Sequence, residues 1–152
     1  MTITQAVPSD LETVKNITAQ TINAVYPHYY PSGAVDFFLS HHNDCNILTD
    51  IEKENVYILN DADNMAVGTV TVKDNEICRL FVLPEYQGKG YGRELLNFAE
   101  KKISEKYSSI VLDASLPAKA IYLKKGYIPT NNHTIRTENG DYLCYDVMEK
   151  KL

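Results

Sequence analysis

Apolar positions along the chain alternate in some stretches and recur at helical steps in others. Thr2 to Ala6 alternates and predicts a first strand. Pro8 then precedes Ser9-Asp10-Leu11-Glu12, a capping-box pattern in which serine and glutamate satisfy each other's end of a helix. Leu11, Val14, Ile17, Thr21, Ile22 and Val25 follow at steps of three and four, giving one buried face that lasts until Pro27 interrupts it. Two prolines bracket the aromatic segment Tyr26 to Pro31 (YPHYYP), which predicts a loop. Ser32 is placed to cap a second short helix over Gly33 to His42, with Val35, Phe38, Leu39 and His42 on one face; a polar connector follows from Asn43.

Val56 to Leu59, Met65 to Lys73 and Glu76 to Leu83 read as three strands separated by the turn residues Asn60 to Asn64 and Asp74-Asn75, which predicts an antiparallel meander. Arg93 to Tyr107 has helical periodicity and Ser109 to Ala114 reads as a strand, so Glu76 to Ala114 predicts a crossover between parallel strands. Ala118 to Lys125 is a short helix led by Pro117 and stopped at Gly126, after which Tyr127 resumes the sheet. Thr134 to Thr137 and Tyr142 to Met148, joined through Asn139-Gly140, predict a terminal hairpin. Strands and helices together make an α+β chain, without repeats or linkers.

The 152 residues, 44% hydrophobic and 23% charged, are enough for one self-folding domain over 1–152 and too few for two. A net charge of -5 argues against a nucleic-acid partner and suits a cationic small substrate, or simply solubility. Cys45, Cys78 and Cys144 are widely spaced and give neither a disulfide framework nor a zinc site. His41, His42 and Cys45 lack a second ligand pair, so no metal is expected. The first residues have no apolar h-region, and no stretch approaches the roughly 20 apolar residues of a membrane span, so a cytoplasmic protein without a membrane partner is expected.

Between the apolar run LFVLP and the crossover helix lies QGKGYG, Gln87 to Gly92. It lacks the spacing of a nucleotide P-loop, and Arg93 stands where the dinucleotide fingerprint needs its last glycine. Gly88, Gly90 and Gly92 instead let successive backbone amides turn inward at the positive end of a helix, a nest that fits a pyrophosphate.

The stretch LFVLPEYQGKGYGRELL resembles motif A of the GCN5-related N-acetyltransferases (GNAT), whose pattern is Arg/Gln-x-x-Gly-x-Gly/Ala; Gln87, Gly90 and Gly92 occupy its positions. The order of elements over nearly the whole chain and the downstream Tyr122-x-x-x-Gly126-Tyr127 extend the resemblance. It implies a GNAT-like fold with a mixed, mostly antiparallel central sheet flanked by about four helices. It implies an N-acetyltransferase that passes the acetyl group of acetyl-coenzyme A directly to a primary amine of a small molecule or peptide. In such enzymes the loop, here Gln87, Gly88, Lys89, Gly90, Tyr91, Gly92 and Arg93, holds the pyrophosphate, and the preceding strand, here Leu80, Phe81 and Val82, pairs its backbone with pantetheine. Ser115 stands where many members have an asparagine bonding the same arm, seven residues before Tyr122. Tyr122 matches the tyrosine that gives a proton to the leaving thiolate, and Glu76, eleven residues before Gln87, the glutamate that histone-acetylating members use as base. A backbone amide near Val82 would meet the oxyanion.

The loop holding Tyr26, His28, Tyr29 and Tyr30 falls where these enzymes cover the acceptor, with rings suited to stacking or to an ammonium. Two other readings share the fold: a catalytically silent acyl-coenzyme A sensor, and an interaction subunit whose aromatic loop and terminal hairpin form a homodimer interface.

Overall fold

A computed structural model describes residues 1–152. In chain order its elements are β1 (Thr2–Gln5), α1 (Leu11–Val25), α2 (Ser32–His41), α3 (Asp44–Glu52), β2 (Val56–Asn60), β3 (Ala66–Lys73), β4 (Glu76–Val82), α4 (Tyr91–Ser104), β5 (Ser109–Ala114), α5 (Leu116–Lys124), β6 (Ile128–Arg136) and β7 (Tyr142–Lys151). The strands form one sheet in the order β1-β2-β3-β4-β5-β7-β6, antiparallel at every junction except β4 with β5. No helix is long and apolar enough to cross a membrane.

The apolar run Val56 to Leu59 is buried on both faces of the sheet. Tyr57 and Leu59 join Leu95, Leu96, Ala99 and Ile103 of α4, whereas Val56 and Ile58 join Val14 of α1 and Ile47 and Ile51 of α3. One face of the sheet therefore carries α4 and the other carries α1 to α3, as strand alternation requires.

Several helix ends differ from the linear reading. Ser9 and Glu12 form no capping box; the Asp10 carboxylate accepts from the Val7 N–H at 2.9 Å instead, because a short 3-10 turn over Pro8–Asp10 leads into α1. Ser32 is the first helical residue, and the Gly33 N–H near that end is met by Asp141 Oδ2 at 2.9 Å. The segment from Asn43, read as a connector, is the cap and body of α3: the Asn43 side chain accepts from the Asn46 N–H at 2.9 Å. Its polar residues serve the helix end and its outer face, which conceals the helix from a periodicity count.

Two features of β4 shape the site. The register against β3 shifts between Thr71 and Val72, leaving Cys78 without a partner there, so β4 is bulged. A bulge reverses the alternation of side chains. Ile77, Leu80 and Val82 accordingly join the α4 side, whereas Phe81 packs with α1 and α2 and Arg79 reaches Asp50 of α3. At the same point β5 leaves β4: their only pairs are Glu76 with Val111 and Ile77 with Leu112. Beyond them β5 stays with β7 as far as Ala114, and the sheet opens.

Candidate functional site

The opening between β4 and β5 is a cleft of about 510 Å³ whose walls include Ile77 to Val82 of β4, Asp113, Ser115 and Tyr122. Its backbone chemistry follows from pairing. The Leu83 N–H donates to the Val67 carbonyl at 2.9 Å, so alternation along the antiparallel ladder turns the N–H and C=O groups of Leu80 and Val82 away from β3 and towards the gap. The Val82 carbonyl there accepts from Thr21 Oγ1 at 3.1 Å and Gln87 Nε2 at 2.9 Å. Thr21 thus ties α1 to the end of β4, and Gln87 turns back to the strand.

Past Val82 the glycine loop leads into α4, which begins at Tyr91, two residues before the predicted start. Gly88 and Gly90 have φ of 75° and 93°, and Gly90 occupies the N-cap position of α4. Side chains other than glycine resist that backbone, so these two residues set the turn that aims the amides. No neighbouring heavy atom lies within 4 Å of a Cβ built at Gly88, and the nearest to one at Gly90 is Arg93 Nη2 at 3.6 Å. Gln87, Gly88 and Gly92 line the cleft. Lys89 lies over the Tyr86 ring at 5.0 Å, Tyr91 packs against Tyr86 at 6.1 Å, and Arg93 is exposed beside Glu94. These residues surround the loop without lining the cleft.

Tyr122, 9% exposed, lines the cleft from α5 with its ring 5.5 Å from that of Tyr127. Burial pushes its hydroxyl well above the ordinary phenol range. The four aromatic-loop residues separate. Tyr26 is buried among Tyr30, Phe38 and Phe81, and its hydroxyl donates to Ser115 Oγ at 3.3 Å. Tyr30 does not line the cleft: its hydroxyl accepts the Leu116 N–H at 2.7 Å and donates to the Cys144 carbonyl at 3.2 Å. Both tyrosines therefore bolt the loop to the start of α5. Tyr29, 52% exposed, lines the cleft, whereas His28 faces solvent away from it.

Beyond the bulge the cleft continues to α2 and the β6–β7 hairpin, where Phe37, His41, Ile135, Leu143 and Tyr145 form its walls. A polar recess with Glu76, Asp113, Cys78 and His42 adjoins it. Glu76 is held above the usual carboxylate range, first by burial and then by the Asp113 charge. Burial likewise pushes the Cys78 thiol up to about 12 and His42 down to about 3. Arg79 is 7% exposed and paired with Asp50, which also meets Lys73 at 2.7 Å. No group of three metal-ligating side chains is present.

Nothing in the linear pattern marks Thr21, Asp113 or Tyr145 as site residues. Alternation gives Asp113 a face, but only the departure of β5 from β4 makes that face a wall.

A family model described as an acetyltransferase (GNAT) domain matches residues 25–151. No curated protein matches the chain. Among solved structures, a GCN5-related N-acetyltransferase from Rhodopseudomonas palustris superposes with a TM-score of 0.89 at 22% identity, over 99% of this chain and 95% of that one. A PaiA N-acetyltransferase from Thermoplasma acidophilum in complex with coenzyme A gives 0.76 at 22% identity, over 99% and 98%. YncA, a putative acetyltransferase from Salmonella typhimurium with acetyl-CoA, gives 0.74 at 19% identity, over 100% and 94%. Identities of this size speak for a common fold.

Proposed function

The chain belongs to the GCN5-related N-acetyltransferase family, and from that premise we propose that it transfers the acetyl group of acetyl-coenzyme A directly to a primary amine of a small molecule or peptide. The observation that carries this reading is the unpaired length of β4 opening onto the glycine loop. The outward N–H and C=O of Leu80 and the N–H of Val82 suit the amides of an extended pantetheine, added to β4 as β5 leaves it, whereas the Val82 carbonyl is taken by Thr21 and Gln87. The amides of Gly88 to Gly92 at the start of α4 suit a pyrophosphate. The complexes of the PaiA and YncA structures with coenzyme A and acetyl-CoA agree with such a ligand.

In the reaction the amine nitrogen bonds to the thioester carbon, negative charge gathers on the carbonyl oxygen, and the C–S bond then breaks. A free β4 amide at the gap stabilises that oxygen. Tyr122 gives its proton to the departing thiolate, and its raised pKa keeps that proton in place until then. A covalent acetyl-cysteine is disfavoured, because Cys78, the thiol in the cleft, is held protonated by burial.

Tyr122→Phe keeps the ring packing and removes the acid. Turnover in a thiol-release assay with acetyl-coenzyme A and an amine panel falls about 10²-fold or more, while the coenzyme Kd measured by calorimetry stays the same. Unchanged turnover removes Tyr122 from the chemistry. A wild-type protein that binds acetyl-coenzyme A but acetylates nothing is instead a sensor.

A further inference from the structure

The end of the cleft beyond the bulge at Cys78 lies past the stretch of β4 proposed above for pantetheine. Asp113 stands on β5 immediately after the last β4–β5 pair, lines the cleft and has no hydrogen-bond or ion-pair partner within the protein. Around it are Glu76 and Cys78 of β4, His41 of α2, His133 of β6 and Tyr145 of β7. Glu76 and Asp113, both largely exposed, turn like charges towards the adjoining recess, which Lys53 and Lys73 also line; partial desolvation holds both above the ordinary carboxylate range, against the pull of Lys73 on Glu76 and of His133 and His41 on Asp113. The one guanidinium on this wall, Arg79, is already paired with Asp50. Burial keeps His42 neutral, so it adds no compensating charge. Elsewhere in the same cleft the Tyr122 side chain, nine-tenths buried, makes no hydrogen bond to the protein, which leaves its hydroxyl available to a ligand. Between these polar groups the walls are apolar or aromatic: Tyr29, Phe37, Ile135, Leu143 and Tyr145.

We propose that Asp113 receives the protonated amine of the acceptor and takes its first proton, and that the acceptor is a cationic primary amine with an apolar or aromatic body and no carboxylate beside the amine. This rests on the acetyl-transfer reading above. The ammonium gives one proton to Asp113; the neutral nitrogen forms the C–N bond as the C–S bond breaks. The nitrogen's second proton leaves to solvent, and the thiolate takes the Tyr122 proton. A carboxylate next to the amine would lie against Asp113 in the cleft, whose lining holds no lysine and whose one arginine, Arg79, is held by Asp50.

Phenethylamine and phenylalanine test this, since they share ring and amine and differ in the carboxylate. In the thiol-release assay phenethylamine is expected to exceed phenylalanine by about tenfold or more in kcat/KM, one charge contact's worth of discrimination. Asp113→Asn is expected to lower kcat/KM for phenethylamine by about 10²-fold, in the range for loss of a general base, with the acetyl-coenzyme A Kd unchanged in calorimetry. Asp113→Glu, which keeps the carboxylate, recovers part of that loss. Acetylation of phenylalanine or a peptide amino terminus in preference to phenethylamine overturns this inference alone, as does an Asp113→Asn enzyme within about twofold of wild type. A wild-type protein that binds acetyl-coenzyme A and acetylates none of these probes overturns the transferase reading and this inference with it.

Discussion

Gly33, the second residue of α2, lies under the turn between β6 and β7. A Cβ built there falls onto the Asn139 side chain and 2.6 Å from Thr137 Oγ1. Neither neighbour is free to move, because Asn139 is bonded to Thr137 Oγ1 at 2.7 Å and to Asp141 Oδ2 at 2.9 Å, and Asp141 also holds the Gly33 N–H. Gly33→Ala is therefore expected to cost about 1–3 kcal/mol despite alanine's better helix propensity. A urea melt measures the loss, and a stability equal to wild type refutes the close approach. The sequence offered no reason to separate this glycine from any other at a helix start. Gly88 and Gly90 were different: their spacing before a helix already implied a turn, and both take positive φ. Tyr26 and Tyr30 lie between these cases. Their aromatic character was legible, but their hydroxyl partners, Ser115 and Leu116, are nearly ninety residues away in the chain.

At the scale of elements, α3 shows how polar residues hide a helix. Asn43 caps it, Asn46 Nδ2 donates to the His41 carbonyl, and Ile47 and Ile51 enter the core one turn apart. Asn43→Ala removes the cap and is expected to cost about 1 kcal/mol, read as a lower midpoint in a circular-dichroism melt. No change in midpoint indicates that packing of Ile47 and Ile51 alone holds the helix end. By contrast α1 and α4 announce themselves, since each buries a continuous apolar stripe against the sheet. The β4 bulge was not legible. ICRLFV reads as an ordinary strand, and the extra residue at Cys78 appears only when β3 supplies a register.

Across the whole molecule, a buried ion pair joins the face carrying α3 to the strand that forms the cleft. Asp50 of α3 meets Arg79 of β4 and Lys73 of β3, with Asp50 and Arg79 almost wholly enclosed. Asp50→Ala strands the Arg79 guanidinium and is expected to destabilise the fold by about 3–5 kcal/mol, whereas Asp50→Ala with Arg79→Met removes both charges and costs much less. Thermal unfolding of both variants distinguishes a true pair from two independent residues, for which the losses would add. The sequence by itself determined the order of the strands and of every helix except α3, the α4 crossover and the glycine loop, because each depends on local periodicity or on backbone freedom at a few adjacent residues. It could not determine the cleft. That required β5 to part from β4 after Ile77, which left the Leu80 backbone groups and the Val82 N–H without a strand partner and set Asp113 opposite the bulge. Strand separation and convergence of side chains distant in the chain are consequences of packing, so only the tertiary structure decided where donor and acceptor chemistry could meet.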